Sequence, residues 1–438
     1  MNFLKALVIL AAAAPASAQY GGPAVLTRGE APAAMSTAQI DFRPFASITG
    51  VYDTGLNGVG VDTNGKTIDQ AGRGIEGSVG ISGLHSWRHT QVGLDFSFSA
   101  RHYPTVPYYD GTNENLLLSV TQQLSRHVSL SVRTTGGMYT QNYGLPTLPQ
   151  TVPFDPSTTY LPTNTFFDNR VIFLSTQADL VVQKSTRLSY SVGADGFLTR
   201  YGSSALYGMT GASARGDVQY RVSKRTTIGA GYTYTHFAFN HIFSSTDMHG
   251  FVGSYAVRLT KNWELTATGG ATLFDTKFIQ TVPVDPAIAI LIGYNSTNQI
   301  SYSRQWTPTG SGRLSYTMHR GVVYVSGGRA ITPGNGLFLT STTETAMAGY
   351  SYTGLKRWSA GISGGYFGSD SIGNYIGYYG SYMLSLDLSR QIMRYTHGIL
   401  SVYAHKFTSG DFANYNLWAY GVRVGLGFTP GDIPMRLW

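Results

Sequence analysis

Apolar and polar residues alternate one for one along most of the chain. Val92, Leu94, Phe96 and Phe98 are interleaved with Gln91, Gly93, Asp95 and Ser97. Ile228, Ala230, Tyr232 and Tyr234 are interleaved with Thr227, Gly229, Gly231 and Thr233. The same holds for Tyr382, Leu384, Leu386 and Leu388, and again from Trp418 to Phe428. A strand sends successive side chains to opposite faces, so each stretch has one apolar face and one polar or small face. Each is about 10 residues long, which suits a tilted strand crossing a bilayer. A soluble sandwich also alternates, but it carries more charge. Only 12% of residues here are charged, about half the globular norm. At 42% hydrophobic the chain is not disordered, and no apolar run reaches the roughly 18 residues of a spanning helix. Within lipid every backbone polar group needs a partner, and a sheet provides one everywhere only when it closes on itself. The expected fold is all-β: a transmembrane antiparallel up-and-down β-barrel over residues 44–428, with about 18 strands and 16–18 in range.

The ends carry other signals. Met1–Lys5 is a short basic start, Ala6–Ala14 is apolar, and Ala16-Ser17-Ala18 supplies small residues for a signal peptidase. Residues 1–18 read as a secretory signal cleaved after Ala18. Residues 19–43, rich in Ala, Pro, Gly and Thr, read as a periplasmic extension, and 429–438 as a C-terminal tail. The chain has no cysteine, which excludes disulfides, thiolate-bound metals and thiol chemistry.

Short connections recur near His85–Arg88, Ser125–His127, Lys184–Thr186, Ser223–Arg225, Thr260–Asn262, His319–Gly321, Leu355–Arg357 and Arg390–Thr396. Longer polar or proline-bearing loops lie between them. This asymmetry is the sidedness of a membrane barrel with tight periplasmic turns and longer outer loops. The hairpins repeat at about 38 residues; Ser119–Val132 resembles Ser254–Ala267. Each short turn carries or adjoins a cation: Arg88, Arg126, Lys184, Lys224, Lys261, Arg320, Lys356 and Arg390. Either these are ordinary polar turns or they meet anionic headgroups of the inner leaflet. Trp263, Trp358 and Trp418 suit an interfacial aromatic girdle.

Signal, alternation and sidedness together resemble bacterial outer-membrane β-barrel proteins of the porin type. The resemblance covers the mature chain and implies a bacterial outer-membrane address. Two long outer loops, near Gln141–Asp168 and Thr276–Asn298, share a motif: Gln150-Thr-Val-Pro-Phe-Asp-Pro156 and Gln280-Thr-Val-Pro-Val-Asp-Pro286. They follow the fifth and eleventh strands. In diffusion porins the loop after the fifth strand folds inward and narrows the pore. By that resemblance Pro153, Asp155 and Pro156, with Pro283, Asp285 and Pro286, become candidate constriction residues. A shared surface turn is the alternative, because Asp before Pro favours one.

Other chemistry fits poorly. Gly60–Thr67 matches a phosphate-binding loop in form but lacks the strand-to-helix context and an ATP-containing compartment. His236, His241 and His249 with Asp247 surround one outer loop, at no recognised metal-ligand spacing. Ser and His are too frequent to select a catalytic constellation. No cofactor, metal, enzyme activity or nucleic-acid partner is expected. Opposite the apolar stripes lie Asp95, Arg133, Asp179, Asp217, Arg221, Arg258, Glu264, Arg313, Asp387 and Arg423. Unpaired buried charge is costly, so these face water or one another. Net charge is +8, one less once Lys5 leaves with the signal, which suggests at most a mild anion preference.

The expected function is a porin-like channel for passive diffusion of small hydrophilic solutes. Arg133, Arg221, Arg258, Arg313 and Arg423 would set its field. The rivals are a polysaccharide- or polymer-export barrel with periplasmic partners, and a non-conducting structural or adhesive barrel. Aromatic segments such as Tyr103–Tyr109 either pack at the rim or stack on sugars. Expected partners are the lipid bilayer, lipopolysaccharide and the barrel-assembly machinery; a homo-oligomer stays open.

Overall fold

A computed structural model describes residues 43–54, 71–140, 170–202, 206–283, 296–334, 339–352, 357–372, 378–409 and 418–429. Residues 1–18, expected to be a signal (Ala18 included), the expected extension up to residue 42, the Gly60–Thr67 motif and residues 430–438 lie outside them.

The described residues form 18 strands. The first third comprises β1 (Arg43–Asp53), β2 (Gly72–Ser86), β3 (Thr90–His102), β4 (Gly111–Ser125), β5 (Val128–Tyr139) and β6 (Val171–Gln183). Next come β7 (Leu188–Tyr201), β8 (Met209–Arg221), β9 (Thr226–Phe239), β10 (Ser245–Arg258), β11 (Trp263–Pro283) and β12 (Ser296–Met318). The last are β13 (Gly321–Thr332), β14 (Ser341–Tyr352), β15 (Trp358–Ser371), β16 (Tyr379–Gln391), β17 (Thr396–Ser409) and β18 (Trp418–Phe428). Each pairs antiparallel with its chain neighbours, and β1 pairs with β18 from Ala46↔Phe428 to Asp53↔Gly421, closing the sheet. No edge is left to template aggregation, and the ladder partners are internal to the barrel, as lipid requires.

The two faces differ as the alternation dictates. On β6, Val171, Phe173, Gln177, Asp179 and Val181 are buried, while Ile172, Leu174 and Leu180 are exposed. The exposed set continues around the wall in Val192, Ile362, Leu384 and Val424. Outward aromatics bound this band. Trp263 packs on Tyr316 at the turn end, ring centroids 4.7 Å apart, and Trp306 lies 6.2 Å from Phe251 toward the loop end. Ten positions separate Trp306 from Tyr316 on β12. At ~3.3 Å per residue and ~40° tilt that is ~25 Å of height, the thickness of an outer-membrane apolar band. Trp358 is also at the turn end. Trp418 is not: β18 starts there, at the loop end, because an outer connection precedes it.

The second long loop is shorter than the sequence suggests. Thr276–Pro283 continues β11, and Ser296–Asn298 already belongs to β12, paired from Thr276↔Ser303 to Pro283↔Ser296. Alternation persists through Phe278 and Ile279, and Pro283 sits at the strand end, where no further ladder donor is needed. Pro153, Asp155, Pro156, Asp285 and Pro286 lie outside the described residues.

Candidate functional site: the inner wall

The register places Asp95 (β3), Arg133 (β5), Asp179 (β6), Asp217 and Arg221 (β8) on the inward face. Arg258 (β10), Glu264 (β11), Arg313 (β12), Asp387 (β16) and Arg423 (β18) join them. Arg133 stands opposite Gln177, Asp217 opposite Ser191, Arg258 opposite Glu264 and Arg423 opposite Ser401. Five more charges share this face and escaped the sequence reading: Asp53, Glu76, Arg101, Asp195 and Arg215. Arg215 has the same parity as Asp217, so alternation held the signal. Asp53 and Arg101 sit at strand ends, where the alternation stops.

At the closure seam, Asp53 accepts hydrogen bonds from the hydroxyls of Tyr103 and Tyr403. Tyr403 comes from β17 and must cross β18 to arrive. It does so over Gly421, the residue opposite both Asp53 and Tyr403; a β-carbon there would overlap the Tyr403 ring. Arg101 Nη1 lies 3.5 Å from Asp53, and Arg101 Nε donates to Glu76 at 2.7 Å. Arg423 Nη1 stands 3.9 Å from Glu76. Two carboxylates and two guanidiniums thus tie β1, β2, β3 and β18 together from inside, with a β17 tyrosine added.

A second cluster uses the same device. Asp179 on β6 and Arg215 on β8 both face Gly193 on the strand between them. Without a side chain there, Arg215 reaches across β7; its Nε donates to Asp179 at 3.1 Å, with a second bond from Nη2. Arg215 Nη1 is 3.6 Å from Asp195. Gln177 donates to Asp179 at 2.8 Å, and the hydroxyls of Ser213 and Ser191 donate to Asp195 and Asp217. These groups are nearly solvent-free: Asp179 is 3% and Arg215 8% exposed. Charges so paired stiffen the wall rather than offer themselves to a solute. Arg258, at the turn end, is exposed. Arg313 stacks on Tyr324 at 4.8 Å, and Ser401 donates to Asp387 at 2.7 Å.

Two outer connections fold onto the inner wall near its loop end. Tyr103–Tyr109 is neither a girdle nor a rim. Tyr103, 0% exposed, and Tyr109 pack with Val106 against Val51 of β1, around a short 3-10 turn over Pro107–Tyr109. Asp110 pins the loop, accepting the Tyr103 amide at 2.6 Å. The hydroxyl that reaches Asp53 overrides a rim position, because it satisfies a buried carboxylate. On the far side, Leu339 packs with Phe197, Phe237, Phe274 and Ile331. Thr340, beside it, hydrogen-bonds Thr246 of β10 at 2.7 Å.

His236, Asp247 and His249 belong to strands, not to an outer loop, and face outward. His236 Nδ1 is 2.9 Å from Asp247, and His249 Nδ1 is 2.7 Å from the Tyr232 hydroxyl. His241 alone is in the connection, at φ 65°. Among the described residues no cluster suited to a metal forms.

A closed 18-stranded antiparallel barrel with an apolar exterior and charged groups on its inner face has the architecture of a transmembrane β-barrel. No protein-family model matches the chain, and neither does any curated protein. Similar solved structures are Occ/Opd outer-membrane porins. OccK5 (OpdH) of Pseudomonas aeruginosa is 13% identical, with TM-score 0.40 over 89% of this chain and 98% of that one. OccAB1 of Acinetobacter baumannii is 10% identical, with TM-score 0.42 over 91% and 100%. OccK2 (OpdF) of Pseudomonas aeruginosa, solved in complex with glucuronate, is 10% identical, with TM-score 0.42 over 89% and 97%.

Proposed function

We propose that the protein is an outer-membrane channel through which small hydrophilic solutes diffuse passively. One observation carries this: a closed 18-stranded wall whose inward register is polar and charged. Barrels of 16–18 strands are wide enough for water unless something fills them. The inward Tyr103–Tyr109 connection and the Leu339–Thr340 segment narrow the outer mouth, and among the described residues there is no separate plug domain. Arg133, Arg221, Arg258, Arg313 and Arg423 contribute the field, offset by Asp95, Asp217, Glu264 and Asp387. With cations and carboxylates this closely matched, selectivity is weak.

The test is single-channel recording of the purified protein in planar bilayers under a salt gradient. Steady conductance with a permeability ratio close to one is expected. An absence of conductance would sink the proposal and favour a filled, structural barrel. A channel that stays shut until a periplasmic partner is added would favour polymer export.

A further inference from the structure

Every strand of the wall pairs with both neighbours, but one seam stops early. β12 and β13 pair from Met318↔Gly321 only as far as Gly310↔Arg329. The next rungs in register are Thr309–Ala330, Pro308–Ile331 and Thr307–Thr332, and none of them forms. Neither strand ends there. β12 runs on with β11 to Pro283↔Ser296, and β13 runs on with β14 to Thr332↔Ser341. The two hairpins part because β13–β14 turns inward. Thr340, one residue before β14, hydrogen-bonds Thr246 of β10 at 2.7 Å. Around the wall β10 and β14 are four strand spacings apart, ~19 Å at ~4.8 Å each, so this contact crosses the lumen. Pro308, which has no N–H to give a ladder, sits on the parted stretch. The last rung lies four residues short of Trp306, ~10 Å of height at ~3.3 Å per residue and ~40° tilt. The parting therefore begins within the outer leaflet.

We infer that the parting of β12 from β13 is a lateral port, through which a single-chain amphiphile with a neutral, hydrogen-bonding head passes between the outer leaflet and the lumen. Behind the parting the inner wall is greasy. Ile331, outward by its place in the alternation, is instead buried and joins Phe237, Met248, Phe274 and Leu339 in one cluster. Ile331 and Leu339 come from the inturned hairpin, so they are the side chains a tail displaces, and Met248 adapts its shape to whatever enters. One cluster behind one gap accommodates one tail. The head meets backbone. At lipid depth a strand side without ladder partners needs other hydrogen-bonding groups, and a hydroxyl both donates and accepts. At the last rung Arg329 Nε lies 3.6 Å from Glu344, both about half exposed on the outward side. Charge on the lipid face is costly at the midplane and cheap near the interface, so this pair marks a place that polar groups reach. Because the pair neutralises itself, it favours an uncharged head.

Photolabelling of the full barrel in lipid nanodiscs tests this, with a diazirine-bearing monoacylglycerol as the probe and peptide mass spectrometry as the readout. In wild type, adducts should appear on the inward residues Phe274 and Leu339 as well as on outward Phe251. The chain has no cysteine, so Thr309→Cys/Ala330→Cys places a single disulfide across the first missing rung. Oxidation should abolish the inward adducts and leave those on Phe251, and reduction should restore them. Thiol titration verifies the bond, and Ala330→Trp obstructs the same gap without one. Heat-dependent gel mobility verifies that each variant is a folded barrel. Wild type labelled only on outward residues would overturn the port. So would inward adducts that persist when the gap is closed by either variant, or equal inward labelling by a diazirine phosphatidylcholine, which carries two chains. The labelling needs no ion flow, so a barrel that conducts nothing can still pass it, and the channel proposal stands or falls separately.

Discussion

Two glycines decide which side chains of the inner wall meet. In a sheet, direct cross-strand neighbours are set by register, and a side chain normally stops at the adjacent strand. Gly193 removes that stop and lets Arg215 of β8 reach Asp179 of β6; Gly421 lets Tyr403 of β17 reach Asp53 of β1. Arg215→Ala leaves Asp179 and Asp195 buried without their cation, a change that costs about 3–5 kcal/mol when a buried pair is broken. Urea unfolding in lipid vesicles should show that loss, and Gly193→Ala should show part of it by pushing the same partners apart. Arg258→Ala, at an exposed position, should change stability by less than about 1 kcal/mol. Equal effects at Arg215 and Arg258 would mean the cluster does not hold the wall.

At the scale of strands and loops, the two faces make opposite demands. Leu384 on β16 points into lipid, 52% exposed, and its neighbour Ser385 points inward to hydrogen-bond Ser363 at 2.7 Å. Leu384→Arg should cost about 2–4 kcal/mol, the price of a cation near the bilayer midplane. Ser385→Arg should cost far less, because the inward face is polar and, on the proposed channel, wet. Unfolding free energies of the two variants check the assignment of faces directly. The Tyr103–Tyr109 connection makes a different prediction. Tyr103→Ala/Tyr109→Ala removes its contacts with Asp53 and Val51 and frees it from the wall. Single-channel conductance should rise; an unchanged value would place the loop outside the solute path.

For the molecule as a whole, the proposed solute flow depends on the summed field of the wall. Arg221→Glu/Arg258→Glu should turn the permeability ratio toward cations, read as a shift in reversal potential. Much of this architecture is legible in the residues. The alternation around Phe96, Tyr232 and Leu384 announces strands, and short turns against long loops announce sidedness. The inward parity of Arg133 or Asp387 follows from the same count. The pairing of those charges is not legible. Arg215 escaped notice although it shares the parity of Asp217. Asp53 and Tyr403 are 350 residues apart, and nothing local links them. His236 and Asp247, which look like loop residues on spacing alone, prove to be cross-strand partners because β9 and β10 run on past the girdle.

The chain by itself determines strand, face and membrane, because period-two alternation is a property of neighbouring residues and the bilayer reads it locally. The tertiary structure alone decides which carboxylate meets which guanidinium and which loops turn inward. Those contacts depend on the closing register of β1 against β18 and on glycines that let a side chain pass over a strand. Both conditions arise only once distant segments share one wall.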